Sequence, residues 1–172
     1  MAHFSIETLW FRRFDQFGLV NARYSNVIRY KEFSVLNYEV LEQTPSSEEY
    51  CQLRLVSGLS AKSLEAAYVG LSNSLYAVCV RDSNGLVGMG RVIGDGACFF
   101  QIVDIAVNPN HQGLGLGKTI MEKIESYLKK AANDGSYVSL IADKPEFYEK
   151  LGFDYTAPEA YGMFKRLSKS RL

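Results

Sequence analysis

Val107–Lys118 reads VNPNHQGLGLGK. Gly113, Gly115 and Gly117 stand at alternate positions, directly after an apolar run and directly before a helical pattern. The run Cys98–Val107 predicts a strand. The helix predicted after the glycines carries Ile120, Met121, Ile124, Tyr127 and Leu128 on one side. The order is therefore strand, glycine-rich turn, helix N-terminus. Glycine adopts positive φ without strain and lets a ligand approach the backbone. The first amides of a helix have no internal partner and point outward at the positive end of its dipole. Such a turn suits an anion, most naturally a phosphate or pyrophosphate. A connection with no ligand to admit has no use for three alternate glycines, which weaken it.

Spacing separates three glycine-loop chemistries. A dinucleotide fingerprint, G-x-G-x-x-G/A, fails because its last place falls on Lys118. A Walker A loop is nearly matched by Gly117-Lys118-Thr119, but its first glycine falls on Gln112. Too little chain follows for the further parallel strands and carboxylate of that fold. The third pattern, Q-x-x-G-x-G, is met by Gln112, Gly115 and Gly117. It resembles the acyl-CoA pyrophosphate loop of the GNAT N-acetyltransferases. The preceding Ile105-Ala106-Val107-Asn108-Pro109 resembles that family's strand and turn.

The 172 residues predict one domain, and an apolar fraction of 47% supplies a good core. A formal net charge of zero argues against non-specific binding of nucleic acid or an anionic membrane. Cys51, Cys79 and Cys98 are odd in number and widely spaced, which argues against a disulfide framework or a zinc site and for a reducing, cytoplasmic setting. No apolar run approaches membrane-spanning length. Residues 1–34 are dense in aromatics, with Arg12, Arg13, Arg23 and Arg29, and contain no signal-peptide core. They read as an extension packed on the body or on a second subunit, the latter making a homodimer; residues 35–172 read as the domain proper.

Within that domain, Asn37–Gln43 suggests a first strand. Ser46 and Glu49 form a capping box for a helix carrying Tyr50, Leu53, Leu55 and Val56, ended by Gly58. Ser60 is the expected cap of a second helix with Leu64, Ala67, Tyr68 and Leu71. Leu75–Arg81, Leu86–Ile93 and Ala97–Val107, separated by Asp82-Ser83-Asn84-Gly85 and Gly94-Asp95-Gly96, predict an antiparallel meander. Gly88 and Gly90 inside the middle strand signal a bulge or a close approach. The long helix, Leu116–Ala132, and the strand Tyr137–Ala142 then complete a parallel βαβ unit. A short helix, Pro145–Leu151, precedes an expected hairpin of Phe153–Thr156 and Gly162–Leu167, and residues 168–172 read as a frayed tail.

Glu146–Phe153, EFYEKLGF, is a second motif. On a helix Phe147 and Leu151 share the core face, while Tyr148 lies about 100° round and is free to point elsewhere. Its F-Y-x-x-x-G-F pattern is similar to the GNAT helix that follows the second parallel strand. With the glycine loop, two motifs stand in the right order, and the resemblance covers roughly residues 37–167. Asp143-Lys144-Pro145 shortens the usual link before the Phe-Tyr pair, and residues 1–34 have no counterpart in the family core.

The resemblance implies a mixed α/β fold: an antiparallel meander, a βαβ unit whose parallel strands splay apart, and a C-terminal hairpin. Acetyl-CoA would thread the gap as co-substrate, with no metal. Gln112, Gly113, Leu114, Gly115, Leu116, Gly117, Lys118 and Thr119 would hold the pyrophosphate, and Ile105, Ala106 and Val107 would pair with the pantetheine amides. A main-chain N–H of the same strand would steady the oxyanion. Tyr148, a phenol protonated at neutral pH, would be the acid for the departing thiolate. Asp104 is the nearest carboxylate for a base, provided a bulge turns it to the cleft, and Asp143 is the second. His111 reads as lying on an exposed turn, and with His3 the only other histidine, a Ser-His-Asp site lacks material. Lys118, Lys123, Lys129 and Lys130 read as a solvated helix face. The expected acceptor is the primary amine of a small molecule, with Tyr76, Phe99, Phe100, Tyr161 and Met163 suggesting an arylalkylamine. A peptide or protein N-terminal acetyltransferase and a CoA-binding regulatory domain without turnover are the alternatives.

Overall fold

Alternating apolar residues and tight turns build the sheet. The computed structural model describes residues 37–167, and the expectations for residues 1–34 and 168–172 lie outside them. Strand β1, Glu39–Leu41, is shorter than its sequence pattern. Ser46 then opens α1, Ser47–Val56, through a complete capping box: its hydroxyl accepts from the Glu49 amide at 3.2 Å, and its amide donates to the Glu49 carboxylate at 3.2 Å. Helix α2, Leu64–Ser72, is capped by Ser63 rather than Ser60. Ser60 is engaged elsewhere, its hydroxyl and carbonyl both accepting from Arg54.

The meander follows as β2 (Tyr76–Asp82), β3 (Gly85–Gly94) and β4 (Phe99–Val107). Helix α3, Leu116–Ala131, crosses to β5, Tyr137–Leu140, which pairs with β4 in parallel. A short α4, Pro145–Glu149, follows. The sheet order is β1-β2-β3-β4-β5, a mixed α/β architecture as expected. Helix α3 covers one face, burying Ile120, Met121, Ile124 and Leu128 against Val78, Val80, Val92, Phe100 and Ile102. On a second cluster, Tyr50 and Leu53 of α1 and Ala67 and Leu71 of α2 pack with Met89 and Ala106.

Two irregularities decide where a site can form. Pairing of β4 with β5 stops at Ile102↔Leu140, yet β4 runs on to Val107, so its last five residues leave that edge unpaired by β5. At the same place β4 bulges against β3. Arg91 faces Val103 and Met89 faces Ala106, which leaves Asp104 and Ile105 opposite Gly90 alone. Asp104 takes φ 59°, the only positive φ at a non-glycine among the described residues.

Gly90 makes room for both the bulge and the helix. A Cβ there would lie 2.6 Å from Ile120 Cγ2, 2.7 Å from Ile105 Cδ1 and 2.9 Å from Ile124 Cδ1. The glycines inside β3 thus mark both a bulge and a close approach.

The C-terminal hairpin is a correction. Residues 153–167 contain no strand, and Tyr161, Met163, Phe164 and Leu167 are exposed. The local turn at residues 156–160 forms, with the Ala160 amide donating to the Thr156 carbonyl at 2.8 Å, and Pro158 brings no amide to a ladder. Phe164 directly follows Met163, so the segment puts apolar groups on both faces.

Gly90→Val should lower stability by about 1–3 kcal/mol through overpacking. Denaturant unfolding checks this, with the midpoint falling and the slope unchanged.

Candidate active site

The site begins where β4 ends. The Asn108 amide donates to the Val87 carbonyl at 2.8 Å, tying the strand end to β3. A single 3₁₀ turn, Pro109–His111, follows. The Gln112 side-chain amide then donates back to the Val107 carbonyl at 3.0 Å and closes the base of the loop. Gly113 and Gly115 take φ 76° and 81°, the left-handed region that a side chain disfavours. Gly115 is the N-cap of α3, and no side chain caps that end. The first in-helix donor is the Thr119 amide, to the Gly115 carbonyl at 3.1 Å. The amides of residues 116–118 precede it without a helical acceptor and open onto a cleft.

That cleft has a volume of about 450 Å³. The unpaired half of β4 forms one wall and α4 the other, with Phe147 and Tyr148 facing Ile105, Ala106 and Val107 across it. Of the residues expected to hold the co-substrate, Ile105, Ala106, Val107, Gln112, Gly113, Gly115, Leu116, Gly117 and Lys118 line it. Leu114, which is exposed, and Thr119 do not. Gly117 lies beside α4, where a Cβ would make an ordinary contact, 3.6 Å from Phe147 Cζ.

Tyr148 also borders an adjoining cavity of about 190 Å³, with Leu140, Pro145 and Phe153. Its ring stands edge-on to Phe147, centroids 5.0 Å apart, and to Phe153 at 6.1 Å. Burial pushes its pKa above the ordinary phenol value, and the Asp143 carboxylate adds to this. The group therefore remains a proton donor throughout the neutral range.

Asp104 is turned by the bulge, but its oxygens are engaged. Oδ1 pairs with Arg54 Nη1. Oδ2 accepts from Arg91 Nε at 2.8 Å and from the Tyr50 hydroxyl at 3.0 Å, and meets Arg91 Nη2 at 2.7 Å. Oδ1 thus meets one donor and Oδ2 three, and the Asp104 side chain is 9% exposed. Asp104 lines the cleft, as the bulge allows, while its carboxylate ties α1 to β3 through both arginines. Asp143, exposed on the opposite wall, keeps open oxygens.

Two further expectations are corrected. His111 is not on an open turn: its ring is bonded through Nδ1 to the Tyr38 hydroxyl at 2.9 Å, and Nε2 lies 3.8 Å from the buried Asp82 carboxylate. Tyr76 and Phe100 do not border the cleft; Tyr76 stacks on Tyr127 at 4.6 Å and Phe100 is in the core. Phe99, Tyr161 and Met163 are exposed and outside the cleft lining. Lys118 and Lys123 are exposed as expected. Among the described residues no group of His, Cys, Asp and Glu is placed to hold a metal, and no helix is long and apolar enough to cross a membrane.

Sequence reasoning missed Tyr50, Arg54 and Arg91. The signal was present: Arg54 lies four residues after Tyr50 on a helix face that is otherwise apolar, and Arg91 interrupts the buried run of β3.

Comparisons with known proteins bear on the family and the fold. The family model of the acetyltransferase (GNAT) domain matches residues 72–155. A solved protein of meticillin-resistant Staphylococcus aureus, described as a probable acetyltransferase, is 47% identical; the match covers 76% of this chain and 100% of that one, with a TM-score of 0.73. An uncharacterized N-acetyltransferase, ycf52, of Pyropia yezoensis is 33% identical over 113 residues, 62% of this chain and 64% of that protein. The chloroplastic serotonin N-acetyltransferase 2 of Oryza sativa is 37% identical over 82 residues, 45% of this chain and 38% of that protein. The chain thus spans from about a third to under two thirds of the length of the curated relatives it matches.

Asp104→Ala should destabilise the fold by about 3–5 kcal/mol, because two buried guanidiniums lose their counter-ion. Equilibrium unfolding against the wild type measures it.

Proposed function

Since this chain belongs to the GNAT acetyltransferase family, we propose that it transfers the acetyl group of acetyl-CoA to the primary amine of a small molecule. The observation that carries this reading is the coincidence of two features at one cleft: an uncapped helix N-terminus behind left-handed glycines, and a strand whose edge is left unpaired.

The residues fit the co-substrate. The amides at the start of α3 suit its pyrophosphate. Strand β4, beyond Ile102, suits the pantetheine amides as an added strand would. Acetyl-CoA supplies an activated thioester, and the chain positions it. The amine nitrogen attacks the acetyl carbonyl carbon, the C–S bond breaks, and the thiolate takes a proton. Tyr148 is the donor, being the phenol on the wall facing β4. The main chain at the Asp104–Ile105 bulge is the assigned support for the negative oxygen. Asp143, with open oxygens on the same cleft, takes the amine's proton directly or through water. Asp104 is not assigned that role.

The acceptor class draws on an adjoining cavity of about 190 Å³ beside Tyr148 and on the likeness to a serotonin N-acetyltransferase.

Acetyl-CoA should bind in calorimetry, and Gly115→Glu, with a side chain forced into positive φ and a negative charge at the helix start, should weaken it at least tenfold. Absence of binding to the wild type overturns the reading. Tyr148→Phe should lower turnover by roughly 10²–10³-fold at nearly unchanged acetyl-CoA affinity, read by thiol release over an amine panel. Because its pKa is raised, the phenol should keep donating past the usual tyrosine range, so the basic fall in rate due to Tyr148 should lie above about pH 10.

A further inference from the structure

The buried ion cluster beneath the bulge is unbalanced. Arg54 and Arg91 bring two positive charges, and Asp104 brings one negative. Their side chains are 6%, 8% and 9% exposed. Among the described residues, no second carboxylate pairs with either guanidinium. Tyr50, the other titratable group in contact, is a neutral phenol, since burial and Asp104 raise its pKa. Helix α2 and the segment after it contribute only neutral acceptors, the Gly70 carbonyl and the Ser74 hydroxyl, both receiving Arg91 Nη1. One net positive charge is therefore held in a nearly dry layer.

Its place is specific. Asp104 is the residue that takes φ 59°, and Asp104 and Ile105 form the bulge on the cleft wall. Arg91 sits opposite Val103, the residue before the bulge, and Arg54 reaches it from α1. Across the cleft, Asp143 and Lys144 carry opposite signs, and Lys118 pairs with Glu122 at the far, loop end. Near the middle of β4 the uncompensated charge is that of the arginine pair. An unpaired buried charge costs stability unless something else offsets it.

We infer that Arg54 and Arg91 are electrostatic positioning residues: their excess charge polarises the acetyl carbonyl lying against the Asp104–Ile105 bulge and favours the negative oxygen that forms there. This rests on the proposed acetyl transfer. The pair acts through the main chain and through its field, without touching the substrate. A unit charge within roughly 10 Å at an effective dielectric near 20 is strong enough to change rates about tenfold.

The test reads the carbonyl itself. Acetyl-CoA labelled with ¹³C at the thioester carbon is bound to the full chain, and isotope-edited infrared difference spectra compare its carbonyl band with that of free acetyl-CoA. The wild type should show a red shift. Arg91→Gln and Arg54→Gln should each lose more than half of it, while Arg91→Lys and Arg54→Lys, which keep the charge, should retain most of it. Acetyl-CoA affinity by calorimetry should stay within about threefold in all four, because neither arginine lines the cleft. Two positions are used so that one misfolded variant leaves the other to decide. An unchanged shift in the Gln variants, or Lys variants as impaired as Gln, overturns the inference while leaving the acetyltransferase reading intact. Failure of the wild type to bind acetyl-CoA overturns the underlying reading instead.

Discussion

The carboxylate of Asp104 holds three elements in register. It sits between Arg54 of α1 and Arg91 of β3, with the Tyr50 hydroxyl on the same oxygen as Arg91. The backbone of Asp104 is in a conformation that ordinary residues avoid, and such conformations persist only where the surroundings over-determine them. Here the over-determination is visible: four donors fix the side chain, and Gly90 leaves space on the opposite strand. With that residue held, β4 carries an extra residue against β3, and its last half stands free of β5. The cleft is the result of this local misfit in the sheet.

The same constraint links the two helical layers. Arg54 also donates to the Ser60 carbonyl and hydroxyl, which fixes the loop joining α1 to α2. Arg91 also donates to the Gly70 carbonyl and the Ser74 hydroxyl at the end of α2. On the other side, Ile120 and Ile124 of α3 fill the space above Gly90. The helix that offers its N-terminal amides to the cleft is thereby packed on the strand that accommodates the bulge. Phosphate-binding loop and strand distortion are two ends of one packed unit.

Much of this was legible in the sequence, and for identifiable reasons. The alternate glycines, the capping box at Ser46 and the turn at Asp82–Gly85 are local signals, and each produced the element it predicted. The doubled residues at Asp104 and Ile105 left no local trace beyond the glycines of β3. Ser60 serves Arg54, six residues earlier, rather than the helix beside it, and no local pattern carries that contact. The setting of His111 depends on Tyr38 and Asp82, both distant in the chain, and so leaves no local signal. The apolar content of residues 162–167 suggested a strand, yet a strand needs a free ladder and a face to cover, and sequence alone reports neither.

The glycines of this chain obey two different laws. At Gly113 and Gly115 nothing stands within 4 Å of a would-be Cβ, and the demand is on torsion alone. At Gly90 the torsion is ordinary and the demand is on volume. A torsional demand is nearly blind to side-chain size, so alanine is already most of the way to leucine there. A volume demand rises with every added carbon, and shrinking Ile120 or Ile105 relieves it. The loop is thus confined to glycine whatever its neighbours become, whereas Gly90 is free to drift together with the isoleucines that crowd it.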